Sequence, residues 1–380
     1  MSDRNNAREE LERRIAERLA RLDDDSLLRL DAISEHAELR AREVPLPIAG
    51  ASQAATLERG MNRRGFLLGA VTLPVALRFA PGALAGGTPV ALVTADTQSR
   101  VAVVELSTGK ILRSIPTTAG PRSIESVWGK LAVVCHTAHG VVSLVDGPSL
   151  RVRRVRGHFD EPRYTAAGAN VRHAFVTDSG SHEVVTVDVL SGRAVARVGV
   201  GGPARHVSID ASYKILWVSL GSKAEEVAVV DVSRPLAPRF LRRFRPPFLA
   251  HDVGMAPGGR HVWVSSGDRG ALAVYDRRTG EVLRRLPADA PPQHVTFSGP
   301  HAYVTSGEDG TLRVLSLRDG TVVHTTKVPV GSYNVQEAFG WIVTPSLDRG
   351  TFCVLDRQGR LTRRVQVSPS SHDACFVMTV

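Results

Sequence analysis

From about Val90 to the C terminus the chain repeats one hydrophobic and polar pattern seven times. An apolar strand with Val at its centre is followed by a polar or Gly turn, then by a second apolar strand that stops at an acidic or polar residue. The stops fall at Glu105, Asp146, Asp188, Asp231, Asp276, Ser316 and Asp356, spaced by 41, 42, 43, 45, 40 and 40 residues. The preceding strand keeps the same beat, centred at Val93, Val134, Val176, Val218, Val264, Val304 and Val343. A fixed period of about 40 residues with several short strands per unit predicts a β-propeller, because one small sheet cannot bury its faces until neighbours stack on it.

Four strands fit each unit. In the second, Arg122 to Trp128 reads as the inner strand, Leu131 to Cys135 and Val141 to Val145 as the middle pair, and Arg151 to Arg156 as the outer edge. Gly109, Gly192, Gly280, Gly320 and Gly359 fall between third and fourth strands, where a tight hairpin needs them. The outer strands alternate Arg with apolar residues, a defence for an exposed edge. The first unit begins with a second strand, whereas His372 to Val380 forms a lone inner strand. The predicted fold is therefore all-β, a seven-bladed propeller over residues 86–380 whose C-terminal strand completes the first blade.

Upstream, Leu11, Ile15, Leu19, Leu22, Leu30 and Ile33 recur at helical spacing among many Glu and Arg, so residues 1–60 read as an α-helical and linker extension. Residues 61–85 read as an export signal. Arg63 and Arg64 lead into an apolar stretch from Gly65 to Leu77, and a small-residue end follows with Ala83 and Ala85. NRRGFL resembles the twin-arginine consensus, which implies export through the twin-arginine translocase after folding, to the periplasm, cell surface or medium. Arg78, Pro74 and Pro81 interrupt the apolar run, so no stable membrane span is expected. A signal behind sixty residues leaves two readings: translation from Met61, or an extended cytoplasmic n-region.

Residues 1–85 carry 13 basic and 13 acidic side chains, so the net +10 resides in the repeats. It is mostly Arg scattered over the blades, as at Arg113, Arg197, Arg242, Arg284 and Arg363. Without a basic run interleaved with stacking aromatics this describes a solvated rim, compatible with anionic partners but not with a nucleic-acid surface. Cys135, Cys353 and Cys375 lie in apolar strand runs without CxxC spacing and read as buried thiols; adjacency of the first two blades leaves a Cys135–Cys375 disulfide open.

Ala302-Tyr303-Val304-Thr305, Phe175-Val176-Thr177, Leu216-Trp217-Val218-Ser219 and Val262-Trp263-Val264-Ser265 resemble the second-strand motif of the YVTN family of propellers. Third strands such as Val185 to Asp188 and lead-ins such as Gly201-Gly202-Pro203 match as well. The resemblance spans residues 88–380 and implies the fold; the family includes binding proteins, surface proteins and cofactor domains, so it implies no single activity. Ser316 and Pro345 depart from its pattern.

The residues leading into the inner strands align as Arg122-Ser123, Arg163-Tyr164, Arg205-His206, His251-Asp252, Gln293-His294, Tyr333-Asn334 and His372-Asp373. Seven-fold geometry gathers them around one mouth of the central channel, the default place for a ligand. His206, His251, His294 and His372 are candidate ligands or proton carriers, with His251, His294 and His372 the metal set if a transition metal binds. Arg122, Arg163 and Arg205 would neutralise anionic groups, and Asp252 and Asp373 would orient the imidazoles. The same side chains could instead bond loop carbonyls. The other histidines, His136 among them, read as solvated. With no nucleophile elbow, Walker loop, zincin motif or dinucleotide fingerprint, the reading is an exported ligand-binding or interaction scaffold using its channel mouth. The alternative is a redox or metal-dependent enzyme or cofactor protein built on the same cluster.

Overall fold

The computed structural model describes residues 88–288, 290–291 and 294–379. The helical extension and the signal segment, with Arg63, Arg64, Ala83 and Ala85, lie outside the described residues. Seven four-stranded antiparallel sheets make up the described chain. Blade 1 consists of Ala374–Thr379, Thr88–Ala95, Arg100–Glu105 and Ile111–Pro116 from the channel outward. Blades 2 to 7 follow as residues 123–154, 162–199, 207–244, 250–287, 295–327 and 336–366.

Blade 1 is completed by the two ends of the repeat region, as the sequence predicts. Val90 pairs with Val377, Ala91 with Phe376 and Leu92 with Cys375. Each of the seven hydrophobic clusters lies between two neighbouring blades, so the core is a ring of interfaces rather than a central mass. In Thr88–Ala95, Val90 and Leu92 face blade 2 while Ala91 and Val93 face blade 7. Successive side chains of a strand point to opposite faces, and both faces here are covered. That is why the middle strands read as unbroken apolar runs instead of alternating ones.

The repeated acidic stop caps the outer hairpin. Oδ1 of Asp276 accepts the backbone N–H of Arg278 and Thr279 at 2.8 Å, and Asp188 and Asp356 do the same in their blades. The chain then turns through a left-handed glycine, Gly280 at φ 76° in blade 5, whose N–H closes onto the Asp276 carbonyl at 2.9 Å. A bulge follows in the pairing of third and outer strands, for example between Val274 and Tyr275. In blade 6, where Ser316 replaces the acid, Asp319 inside the turn takes over by accepting the Thr321 N–H at 3.1 Å.

Cys135, Cys353 and Cys375 are buried free thiols, so the disulfide left open by the sequence is not formed. His136 corrects an expectation. It is fully buried, with Nδ1 3.2 Å from the Ala119 carbonyl and Nε2 3.0 Å from Ser143 Oγ, because the second strand it ends is covered on both faces.

Candidate metal and ligand site at the channel mouth

The inner strands deliver the mouth residues where their ladders are interrupted. Pairing in blade 5 jumps from Ala250 to Val253, and in blade 3 from Pro162 to Thr165. The skipped residues are His251-Asp252 and Arg163-Tyr164. Freed from the strand register, they turn toward the channel. Backbone carbonyls of residues around the mouth are in use as well: Ser123 Oγ donates to the Arg163 carbonyl, Thr177 Oγ1 to that of Arg205 at 2.5 Å, and Thr305 Oγ1 to that of Tyr333. The blades are thus stapled to one another around the mouth.

His206, His251 and His294 converge. One ring nitrogen from each lies within 4.8 Å of the other two, and all three residues are buried. In each ring Nδ1 is engaged. His206 Nδ1 meets the His251 carbonyl at 2.7 Å, His251 Nδ1 meets the Ser222 carbonyl at 2.8 Å, and His294 Nδ1 faces Asp252 Oδ2 at 3.4 Å. Nε2 is left as the available atom, and on His206 it is buried without a hydrogen-bond partner. Gly267 makes part of this possible, since a Cβ there would lie 2.5 Å from the Ser222 carbonyl that holds His251.

Burial pushes His206 well below the ordinary imidazole value, helped by His251, His294 and Arg205, and pushes His251 down to about 3. Both rings are therefore neutral and need not shed a proton before binding a metal at neutral pH. Burial raises Asp252, but the His294 ring and the Val295 N–H outweigh it and hold the carboxylate below its usual range. Asp252 thus orients the imidazole of the next blade, His294, and also accepts the Val295 N–H at 3.0 Å.

His372 does not belong to the converging set, which corrects the expected trio of His251, His294 and His372. Its Nδ1 lies 2.7 Å from the Arg122 carbonyl and 3.1 Å from Asn334 Nδ2, a link from blade 1 to its neighbours on either side. Asp373 likewise orients no imidazole; its carboxylate accepts the N–H of Ile124 at 3.0 Å and of Ala374 at 2.8 Å. Of the three arginines, Arg122 pairs with Asp96 at 3.1 Å and Arg163 with Glu161 at 2.9 Å. Arg205 has no hydrogen-bond or ion-pair partner for its guanidinium among the described residues.

Two residues join the site beyond the predicted ones. The ring of Tyr164 lies 4.2 Å from that of His206, 5.6 Å from His294 and 6.5 Å from His372, between the imidazoles. Below it a cavity of ≈ 210 Å³ is lined by His206, His294, Asp252, Asp373, Gln336 and Glu125 among others. Burial pushes Glu125 up to about 7, against the Ser126 N–H and the 3.0 Å bond from Gln336 Nε2. A carboxylate inside the apolar strand pattern Ser123–Val127 was the signal that could have revealed it.

Residues 180–368 match the repeat-family model described as outer membrane protein assembly factor BamB. A stretch of 124 residues, 32% of this chain, is 30% identical to the dihydro-heme d1 dehydrogenase of Pseudomonas aeruginosa, of whose length it spans 25%. Apo AztD from Citrobacter koseri has a similar fold, with a TM-score of 0.59 at 13% identity over 77% of this chain and 98% of that one. Hydrazine synthase from Kuenenia stuttgartiensis gives a TM-score of 0.57 at 14% identity over 67% and 89%. At such identities the structural likeness establishes the propeller fold and leaves the chemistry to the residues at the mouth.

Proposed function

We propose that this protein is an exported propeller that holds a transition-metal ion at its channel mouth, with His206, His251 and His294 as the three protein ligands. The observation that carries the reading is the convergence of three buried imidazoles, each with Nδ1 engaged by a carbonyl or carboxylate oxygen and, on His206, with Nε2 left without a partner. Anchoring of the far nitrogen is the usual companion of metal ligation, because it fixes ring and tautomer together. Metal–imidazole bonds of about 2.0–2.1 Å would bring tetrahedral donors to roughly 3.4 Å apart, so small ring rotations suffice. Imidazole donors suit Zn²⁺, Cu²⁺, Fe²⁺ or Ni²⁺, and three of them leave a coordination position for an external ligand.

Export rests on the Met61–Ala85 segment, and likeness to a family described by an outer-membrane assembly factor supports it. We favour a binding role over catalysis, because the sequence holds no nucleophile elbow, Walker loop, zincin motif or dinucleotide fingerprint. Elemental analysis of protein recovered after native export, followed by Zn²⁺ and Cu²⁺ titration of the stripped protein, tests the proposal. One ion per chain should bind, and His206→Ala with His251→Ala should abolish it. Stoichiometric binding that survives this double substitution would overturn the site.

A further inference from the structure

The residue that the metal reading leaves unexplained is Arg205. It is half-buried, its Nε is buried without a partner, and its guanidinium has no carboxylate partner, whereas Arg122 and Arg163 each have one. It directly precedes His206 in the chain, and its charge acts on Tyr164, His206, His251 and His372, so it belongs to the surroundings of the same group of rings. Arg163 Nε, on the neighbouring blade, is a second buried donor without a partner.

Charge makes this arrangement informative. Desolvating an unpaired guanidinium is costly, and setting a dication near it is costlier still. The carboxylate engaged with the three-histidine group is Asp252, already committed to His294 and the Val295 N–H. Glu125 and Asp373 line the cavity, but burial raises both, to about 7 for Glu125, so at neutral pH they offer less than their full negative charge. A metal ion and Arg205 together thus exceed the negative charge available to them, and an anion is the missing component.

We propose that the external ligand of this site is a small oxyanion, a carboxylate or phosphate group, bound by Arg205 and donating an oxygen to the fourth position of the metal. This rests on the metal reading for the second contact only. Arg205 is suited to it because a guanidinium offers planar, directed N–H donors to two oxygens of one group. Tyr164 closes the space around the ligand on the side of His206.

The test uses the mature propeller in an anion-poor zwitterionic buffer, stripped or loaded with Co²⁺ as a spectroscopic probe, with inorganic phosphate and acetate as titrants. In the wild type, phosphate or acetate should shift the visible Co²⁺ bands saturably and tighten Co²⁺ binding. Arg205→Met should bind the anion at least about tenfold more weakly, because the charge-assisted hydrogen bonds are gone. It should also bind Co²⁺ more tightly than wild type when no anion is present, since a repelling cation has been removed. A merely structural arginine would not produce that opposite pair of effects, and Arg205→Lys should restore part of the anion affinity. Spectra insensitive to both anions, or equal anion affinity in wild type and Arg205→Met, would overturn the proposal. If wild type takes up no Co²⁺, the metal centre fails by itself. Calorimetric binding of phosphate to metal-free protein, lost in Arg205→Met, then still supports the Arg205 subsite, and its absence rejects it.

Discussion

His206 and His372 stand one residue apart in the repeat register, one at the mouth of blade 4 and the other at the mouth of blade 1, and they do different work. Each sends Nδ1 to a carbonyl of the following blade, His251 in one case and Arg122 in the other. Around His206, however, two further imidazoles converge and Nε2 stays buried without a partner. Around His372 the neighbours are amide and backbone: Asn334 Nδ2 also bonds the His372 carbonyl at 2.8 Å, and the adjacent Asp373 takes two N–H groups. One half of the mouth leaves a donor atom free on His206; the other half engages the His372 Nδ1 and the Asp373 carboxylate in ring closure.

Removing residues 370–380 should break the closure half and with it the domain. Blade 1 would lose its inner strand, and the clusters shared with blades 2 and 7 would lose Cys375, Val377, Ala374 and Phe376. The loss should exceed the roughly 5–15 kcal/mol that holds a domain together, giving aggregated or protease-sensitive protein. A cooperative circular-dichroism melt at the wild-type temperature would refute the division of labour.

Single substitutions sharpen the contrast. His251→Ala should lower metal affinity by more than about 100-fold, since it removes a ligand, and change thermal stability little. His372→Ala should do the reverse, keeping metal affinity within a few-fold while costing about 1–3 kcal/mol by leaving closure groups unpaired. Asp252→Asn lies between them. It keeps the fold near neutral but weakens metal binding by roughly 10–100-fold through the loss of His294 orientation. Metal titration and chemical denaturation on the same four proteins decide it.

The sequence displays the closure half far better than the site half, for a physical reason. Strand centres, acidic stops and turn glycines recur because every blade interface needs the same apolar faces and every outer hairpin the same cap, so the period reveals them. The lone strand at His372 to Val380 follows from that period. The mouth is legible only as a list: the period places His251 and His372 at one position and His206 and His294 at the next, but it cannot tell which three rings face one another. That depends on the ladder interruption at His251-Asp252, on the Ser222 carbonyl beside Gly267, and on Asn334 capturing His372. Glu125 escaped for the same reason, and Tyr164, aligned with the mouth residues, carried no role, because their importance comes from the cavity they share with residues of other blades.

Acid should weaken both halves in metal-free protein, because burial holds His372 well below its usual range as it does His206 and His251. His251 is held near 3 by burial against an ordinary value of 6.5, so the unfolded chain binds the proton more readily and stability present above pH 6.5 is lost as pH falls toward 3. His206 acts in the same direction. Denaturant midpoints should therefore drop across that window. His206→Ala with His251→Ala should flatten the drop, and an unchanged slope would mean that these rings titrate normally.

The smallest effect concerns Glu125, on the wall that joins the two halves. Burial raises its carboxyl to about 7 from an ordinary value of 4.5, so its contribution has the opposite sign to that of the histidines. The protonated form is the one that suits the folded cavity. Its stabilisation is complete below pH 4.5 and is lost as pH rises through about 7, because the unfolded chain ionises first. Glu125→Gln keeps a neutral side chain of the same shape at every pH and can still accept the Gln336 bond. The variant should match wild type near pH 4.5 and exceed it by about 1–3 kcal/mol at pH 8, the size expected for a carboxyl displaced by a unit or two. Urea denaturation of the two proteins at those two pH values measures this directly. A variant less stable than wild type at pH 8 would show that Glu125 is ionised in the folded protein and that the cavity already compensates a negative charge on this wall.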